Sequence, residues 1–481
     1  MNIGIVRYFL GWVLNIEAFL MLLPCVTAAL YRDHNGVYFL IVMAICWFIG
    51  LIFVRKKPFN TVFYAREGFV TVALSWVLLS FFGALPFWLS GEIPSLTNAV
   101  FETISGFTTT GASILTNVEG LSHSMLMWRS FTHWIGGMGI LVFLLAVLPL
   151  VGSGYSMHIM RAESPGPAVG KLVPKVKTTA KILYIIYFSM TVIQVILLLA
   201  GGMPLFDALT TSFGTAGTGG FGIKNNSIAF YDSYYLQGVI TVFMILFGIN
   251  FNVYYLFLIK KPKEALRSEE ARIYLGIILV STVLIAWNVR GYFPSLFSAF
   301  HHAAFQVGSI ITTTGFSTVD FEQWPQFSKT ILIWLMFIGA CAGSTGGGMK
   351  VSRIMIWVKE TRKELASLIH PRSVKVMKLE GKAIEHNVAR SANAFFIVYV
   401  LIFAVSVLIV SLDNFDFTTT FTAVAATFNN IGPGLGNVGP MGNFSGLSGL
   451  SKTVLMFDML AGRLEIFPML LLFSPGTWRK H

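Results

Sequence analysis

Apolar residues recur along this chain in runs of about twenty, the length that crosses a 30 Å hydrocarbon layer as a helix. Ten runs stand out: 8–30, 37–54, 68–90, 125–150, 182–202, 236–259, 273–289, 327–358, 392–412 and 451–473. The first carries no small-residue cleavage site and is followed by another run, so it reads as a retained helix. The pattern predicts an all-α polytopic protein embedded in a lipid bilayer.

Basic residues fall on alternate connections. Arg55, Lys56, Lys57 and Arg66 follow the second run, and Arg161, Lys171, Lys175, Lys177 and Lys181 follow the fourth. Lys260, Lys261, Lys263, Arg267 and Arg272 follow the sixth, and Lys359 to Arg390 separates the eighth from the ninth. The other connections hold isolated cations such as Arg32, Lys224 and Arg290. The positive-inside rule then places both termini in the cytoplasm.

Composition agrees. Of 481 residues, 55% are hydrophobic and 12% charged, and the mean hydropathy is +0.72. Soluble domains carry about 25% charged residues, so a cytosolic globular enzyme, a disordered chain and a collagen-like fibre are excluded. The net charge of +12 comes from the basic connections and implies no nucleic acid. Cys25, Cys46 and Cys341 form neither a disulfide framework nor a metal spacing.

An internal repeat is the main signal. Four connections on the outward side each hold a short apolar run that ends in a strip rich in Gly and Thr, Ser or Asn. Their key glycines are Gly111, Gly220, Gly315 and Gly432, and Ala99, Ala208 and Ala303 each stand twelve residues before theirs. The implied unit is helix, re-entrant half-helix, strip, helix, repeated four times after two leading helices. The boundaries are 1–60 for the leading pair and 61–165, 166–265, 266–385 and 386–481 for the units.

Non-helical backbone at membrane depth is tolerated only when buried in protein or facing water or ions. A half-helix that enters and turns back aims its carbonyl end, with roughly half a negative charge, at the membrane centre. Strip carbonyls can replace the hydration shell of a monovalent cation, and threonine can add a hydroxyl oxygen. One strip alone would read as an ordinary turn; four read as the lining of a pore.

These residues resemble the Trk/Ktr/HKT superfamily of potassium transporters, most closely its bacterial TrkH branch. The matching motifs are Thr108-Thr-Thr-Gly-Ala-Ser, Thr312-Thr-Thr-Gly-Phe-Ser-Thr, Asn430-Ile-Gly-Pro-Gly, Ala342-Gly-Ser-Thr-Gly-Gly-Gly-Met-Lys and Ala461-Gly-Arg-Leu-Glu. The resemblance implies one pore with a K+ filter made in cis by Thr109, Thr110 and Gly111; Thr218, Gly219 and Gly220; Thr313, Thr314 and Gly315; and Asn430, Ile431 and Gly432. It also implies a multi-pass protein of the bacterial inner membrane, a homodimer, and a cytosolic nucleotide-binding regulatory ring of the TrkA type. In this superfamily a serine at the first filter glycine goes with sodium preference, so Gly111 resembles the potassium-selective branch. Gly219, Asn430 and Ile431 depart from the threonine pair, so the filter is only pseudo-fourfold.

Two features suggest gates. Gly339 to Gly348 places five glycines within ten residues of the eighth run, at a cost of about 1 kcal/mol each in a helix interior. A continuous helix is not expected there. For Gly343, Ser344, Thr345, Gly346, Gly347, Gly348 and Lys350 the resemblance implies a gating loop; close helix packing and a nucleotide-binding loop stand beside it. Arg463 falls in the middle of the tenth run, where a fixed cation would slow a permeant one; a salt bridge with Asp458 or Glu465 is the alternative.

Other groups read more simply. His301 and His302 lack partners at a metal-ligand spacing, and Asp207 complements the positive end of the second half-helix. Lys359 to Arg390 reads as a cytoplasmic connector lying against headgroups or a regulatory partner. No nucleophile–base set or metal cluster supports an enzyme. Na+- or H+-coupled potassium symport is the alternative to a pore, though the strips contain no carboxylate and the nearest, Glu102, lies in a half-helix.

Overall fold

The structure, a computed structural model, describes residues 1–58, 64–139, 176–371, 376–384 and 386–479. The second half of the 125–150 run, with Arg161, Lys171 and Lys175, lies outside the described residues. Helices dominate. The one sheet among the described residues is a hairpin pairing Lys378–Leu379 with Lys382–Ala383.

The leading pair consists of Ile3–Tyr31, interrupted at Met21, and Gly36–Arg55. Pro24 lacks the N–H that would bond to the carbonyl four residues back, which accounts for the interruption. Gly11 and Gly50 let the two backbones approach: a Cβ on Gly11 would lie 2.9 Å from the Gly50 carbonyl oxygen. Small residues serve helix crossings in lipid in this way.

The helix, half-helix, strip, helix unit then occurs four times. Its long first helices are Ala65–Leu89, Val176–Ala200, Glu269–Val289 and His386–Val410. The half-helices are Leu96–Phe107, Leu205–Gly217, Leu296–Ile311 and Phe417–Phe428. At 1.5 Å per residue they reach about 18–24 Å, less than a full crossing. Ser95, Ser295 and Asp416 cap three of them by accepting a backbone N–H of the first turn. Asp207 lies in the first turn of the remaining one, the second half-helix headed by Pro204, and accepts from the Tyr231 hydroxyl at 2.6 Å.

Of the ten predicted spans only the eighth is expected to be interrupted, and the structure interrupts others as well. Among the described residues six helices are long and apolar enough to cross a membrane, or seven if the pair Tyr234–Phe247 and Phe251–Leu258 counts as one span bent by 91°. Among the described residues the interruptions fall in the second helices of the units, and for the first unit the chain after Gly139 lies outside the described residues. His123–Met138 ends at Gly139, with φ +78°. The second bends where Asn250 starts a new helix by accepting the Asn252 N–H at 2.9 Å. The third is interrupted from Gly339 to Lys350, between Gln326–Ile338 and Val351–Ile369. The fourth, Gly449–Arg463, gives way to Phe467–Phe473 through Glu465 and Ile466, both at positive φ.

Large apolar side chains such as Trp47, Leu279, Trp287 and Leu401 lie exposed on the long helices, as lipid-facing surfaces require. The half-helices are buried toward their strips, with Phe101, Phe107, Phe305 and Phe428 fully covered, while Leu205, Phe297 and Phe417 near their starts stay exposed.

Candidate functional site

All four half-helices end alike. The N–H groups of Thr110, Gly219, Thr314 and Ile431 donate to the carbonyls of Ser105, Gly214, Ser309 and Ala426, at 2.8–2.9 Å. This six-to-one bond marks a Schellman ending, which needs a left-handed residue just before the donor. Thr109, Thr218, Thr313 and Asn430 occupy that position, at φ 54–58°. Glycine is the usual occupant, and a β-branched threonine is an outlier there. Such strain costs about 1–3 kcal/mol per residue and gathers at functional sites.

Two residues on, Gly111, Gly220, Gly315 and Gly432 return to positive φ, and they close a ring. A Cβ on Gly111 would strike the Gly219 carbonyl oxygen, one on Gly220 that of Thr314, and one on Gly315 that of Ile431. A Cβ on Gly432 would lie 2.7 Å from the Thr110 carbonyl oxygen. Each glycine thus abuts the carbonyl preceding the glycine of the next unit, and the fourth returns to the first. All twelve residues expected at the filter lie in this ring or directly beneath it.

The threonine hydroxyls are less available than expected. Thr110 Oγ1 bonds to Thr108 Oγ1 at 2.8 Å and accepts from Asn430 Nδ2 at 3.0 Å. Thr314 Oγ1 bonds to Thr312 Oγ1 at 2.7 Å, and Thr218 Oγ1 donates to the Gly217 carbonyl at 2.6 Å. Thr313 Oγ1 accepts from the Gly347 N–H at 2.6 Å. Thr109 Oγ1 and Asn430 Oδ1 remain buried without a hydrogen-bond partner.

Behind the ring stand Glu102 and two groups that the sequence did not single out, Arg129 and His133. Arg129 Nε donates to Glu102 at 2.6 Å, and both side chains are buried. Glu102 also accepts from Ser113 Oγ and the Ile114 N–H, which return from the first strip. Arg129 donates to the Gly222 carbonyl at 2.7 Å and lies 3.6 Å over the Phe221 ring, on the second strip. Its positive charge is thereby committed to holding two strips, and the Glu102 carboxylate is not a free acid in the path. His133 accepts the Phe221 N–H on Nε2 at 3.1 Å. Its Nδ1 therefore carries the proton it donates to the Gly106 carbonyl at 2.8 Å. The same ring occupies the space a Cβ on Gly219 would need, which explains why the second strip lacks the threonine of its neighbours.

The glycine-rich interruption lies directly beneath this ring. Gly348 N–H donates to the Asn429 carbonyl at 3.1 Å, and a Cβ on Gly346 would lie 2.9 Å from the Thr312 carbonyl oxygen. Thr345 Oγ1 and the Cys341 N–H bond to the carbonyls of Phe247 and Gly248 at the bend of the second unit. Lys350 Nζ donates back to the Gly346 carbonyl and is buried. A lysine folded onto its own loop presents nothing to a phosphate, so the nucleotide-loop alternative loses its support.

Arg463 spans the same level. It donates to the Thr345 carbonyl at 2.7 Å and to the carbonyls of Gly136 and Gly137 at 2.5 and 2.8 Å. The last two belong to the final turn of His123–Met138, whose dipole favours a cation. The carboxylates offered as its alternative partners have others: Glu465 pairs with Arg353, and Asp458 accepts from Ser406 Oγ at 2.8 Å. Away from the ring, His301 bonds to Gln237 at 2.8 Å and His302 to Thr318 at 3.0 Å.

The chain is similar to known proteins. The TrkH family, described as a cation transport protein, matches residues 36–479. The Trk system potassium uptake protein TrkH of Escherichia coli K12 is 38% identical over 96% of each chain. Its counterpart in Vibrio parahaemolyticus is 38% identical over 98% of each. The crystal structure of the potassium transporter TrkH from Vibrio parahaemolyticus superposes with a TM-score of 0.89 at 35% identity, covering 100% of both chains.

Proposed function

This chain belongs to the TrkH family of cation transport proteins, and from that premise we propose that it takes up potassium through the ring formed by its four strips. It is a multi-pass membrane transport protein and not an enzyme. The observation that carries the reading is the closure of the ring, with Gly432 against Thr110 and Gly111. Four left-handed residues held against their preference keep successive peptide groups turned the same way in each unit. Backbone oxygens of Thr109, Thr110, Thr218, Gly219, Thr313, Thr314, Asn430 and Ile431 then stand in for the water around a K+ ion. The unpartnered Thr109 Oγ1 and Asn430 Oδ1 supply oxygens at the inner end of the same path.

Uptake needs no chemistry of its own, because an interior negative by 100 mV favours cation inflow by about 2.3 kcal/mol per charge. Beneath the ring, residues 343–350 obstruct the path and Arg463 adds a fixed positive charge. The resemblance further supports a homodimer and a nucleotide-binding cytosolic ring acting on the loop. Electrophoresis under native conditions and pull-down with the regulator test those two assignments.

Purified protein in liposomes, with Rb+, K+ and Na+ flux followed at set voltage, tests the central reading. A reversal potential that follows the K+ gradient is expected. One that shifts with pH at fixed K+ would establish proton-coupled symport instead, and one that follows the Na+ gradient would establish sodium coupling.

A further inference from the structure

Glu270 and Glu380 connect the buried loop to the face where the basic connections gather. Glu270, in the first turn of Glu269–Val289, sends one carboxylate oxygen to both ends of the interruption. Its Oε1 accepts from the Ala342 N–H at 2.7 Å and from the Ser352 N–H at 3.1 Å. Ala342 leads into the glycines and Ser352 opens the helix that follows them. One buried atom therefore holds the two ends of the loop together. The bonds are shielded from water, and a low local dielectric strengthens a hydrogen bond.

The backbone of Glu270 is in turn held from a distant part of the chain. Glu380 Oε1 accepts from the Glu270 N–H at 3.0 Å and from Ser268 Oγ at 3.1 Å, while Oε2 accepts from the Glu269 N–H at 3.0 Å. A carboxylate on unpaired first-turn amides is a helix cap, here supplied across 110 residues of sequence. Glu380 stands at the tip of the Lys378–Ala383 hairpin, where it and Gly381 both adopt positive φ, at 51° and 75°. A side chain other than Asn, Asp or Gly is unusual in such a turn.

The hairpin is also fastened to the helix beyond the loop. Lys359 Nζ bonds to Glu269 and to the Lys378 carbonyl at 2.6–2.9 Å. Met377 and Leu379 pack with Ile356, and with Ala389 and Ala392 of the fourth unit. The hairpin tip itself is exposed.

We propose that Glu270 is a positioning residue that clasps the loop closed, and that the Glu380 hairpin is the lever that sets the clasp from the cytoplasmic face. The proposal rests on the reading of residues 343–350 as an obstruction. A displaced hairpin uncaps Glu269–Val289, shifts the Glu270 side chain and frees Ala342 from Ser352. Residues between them then lose the geometry that seats Gly347 on Thr313.

Rb+ flux in liposomes and hydrogen–deuterium exchange across residues 339–352 of the full chain test this together. Glu270→Ala should raise flux about tenfold, the equivalent of one strong hydrogen bond, and accelerate exchange of the loop amides. Glu270→Gln retains an acceptor oxygen and should stay within about twofold of the parent. Glu380→Ala lies on the surface, where folding is not at stake, and should raise flux about two- to threefold by loss of the cap. K+/Na+ selectivity should not move in any of them. Faster loop exchange in Glu380→Ala alone would support the lever even if Glu270→Ala failed to fold. Unchanged flux and exchange in Glu270→Ala and Glu380→Ala, with Arg463→Ala still raising flux, would overturn the clasp and leave the obstruction standing. Unchanged flux in all of these and in a chain lacking Gly346 to Gly348 would overturn the obstruction itself, and the clasp with it.

Discussion

The strips and the breaks beneath them belong to the same four units, yet they obey opposite rules. Every strip repeats one backbone: a Schellman ending, a left-handed residue at φ 54–58°, and a glycine two positions on. The breaks share only their existence. One is a glycine stop at Gly139, one a 91° bend, one a twelve-residue loop and one a pair of positive-φ residues after Arg463. On the proposed reading, a ring around one small cation works only if its quarters match, so its units would not be free to drift apart. An obstruction needs one or two quarters alone, and the rest are free to differ.

Substitutions at the two levels should therefore behave differently. The largest effect is expected from Gly220→Ala. Its methyl group would strike the Thr314 carbonyl oxygen at a φ of +75°, and Rb+ uptake should fall by about 100-fold or more in protein that still reaches the membrane. Near-normal uptake would show that the strips are not held to a common geometry.

Arg463→Ala comes next and acts with the opposite sign. Loss of a fixed charge bonded to Thr345, Gly136 and Gly137 should raise flux about tenfold at constant voltage, roughly 1.4 kcal/mol off the barrier. Equal or lower flux at equal protein would count against a barrier there. Thr313→Val joins the two levels, because it removes the oxygen that receives the Gly347 N–H. A buried donor left without a partner costs about 1–3 kcal/mol, so the loop should loosen and flux rise about fivefold. A change in K+/Na+ ratio would mean that the Thr313 hydroxyl also serves the ion.

The smallest effect is expected at the start of the fourth half-helix. Asp416 accepts from Thr419 Oγ1 at 2.5 Å and from its N–H at 3.0 Å, which hold its carboxyl below the usual range. A depressed carboxyl adds stability that is full at neutral pH and is lost as pH falls through its folded value. Asp416→Ala should lower stability by about 1 kcal/mol at pH 7, and the difference in thermal unfolding should vanish in acid.

Much of this could be read before any coordinates. The strips were legible because four Gly-centred segments in one apolar chain have few explanations, and the loop because five clustered glycines cannot sustain a helix. The bends after Phe247 and Arg463 were not legible. Asn250 and Glu465-Ile466 carry no compositional mark, and only tertiary contacts select their conformations. Arg129 and His133 were missed because their partners lie 27 and 88 residues away, beyond any local spacing. Two of the engaged threonine hydroxyls escaped for the same reason, since Thr110 reaches Asn430 and Thr313 reaches Gly347.

The contact from Asn430 to Thr110 joins residues 320 apart, and it has a bearing on synthesis. A ribosome inserts the units in order, and the fourth quarter of the circle is the last to be made. Until it arrives the ring stays open between the third strip and the first, so on the proposed reading a nascent or truncated chain lacks the closed circle of oxygens.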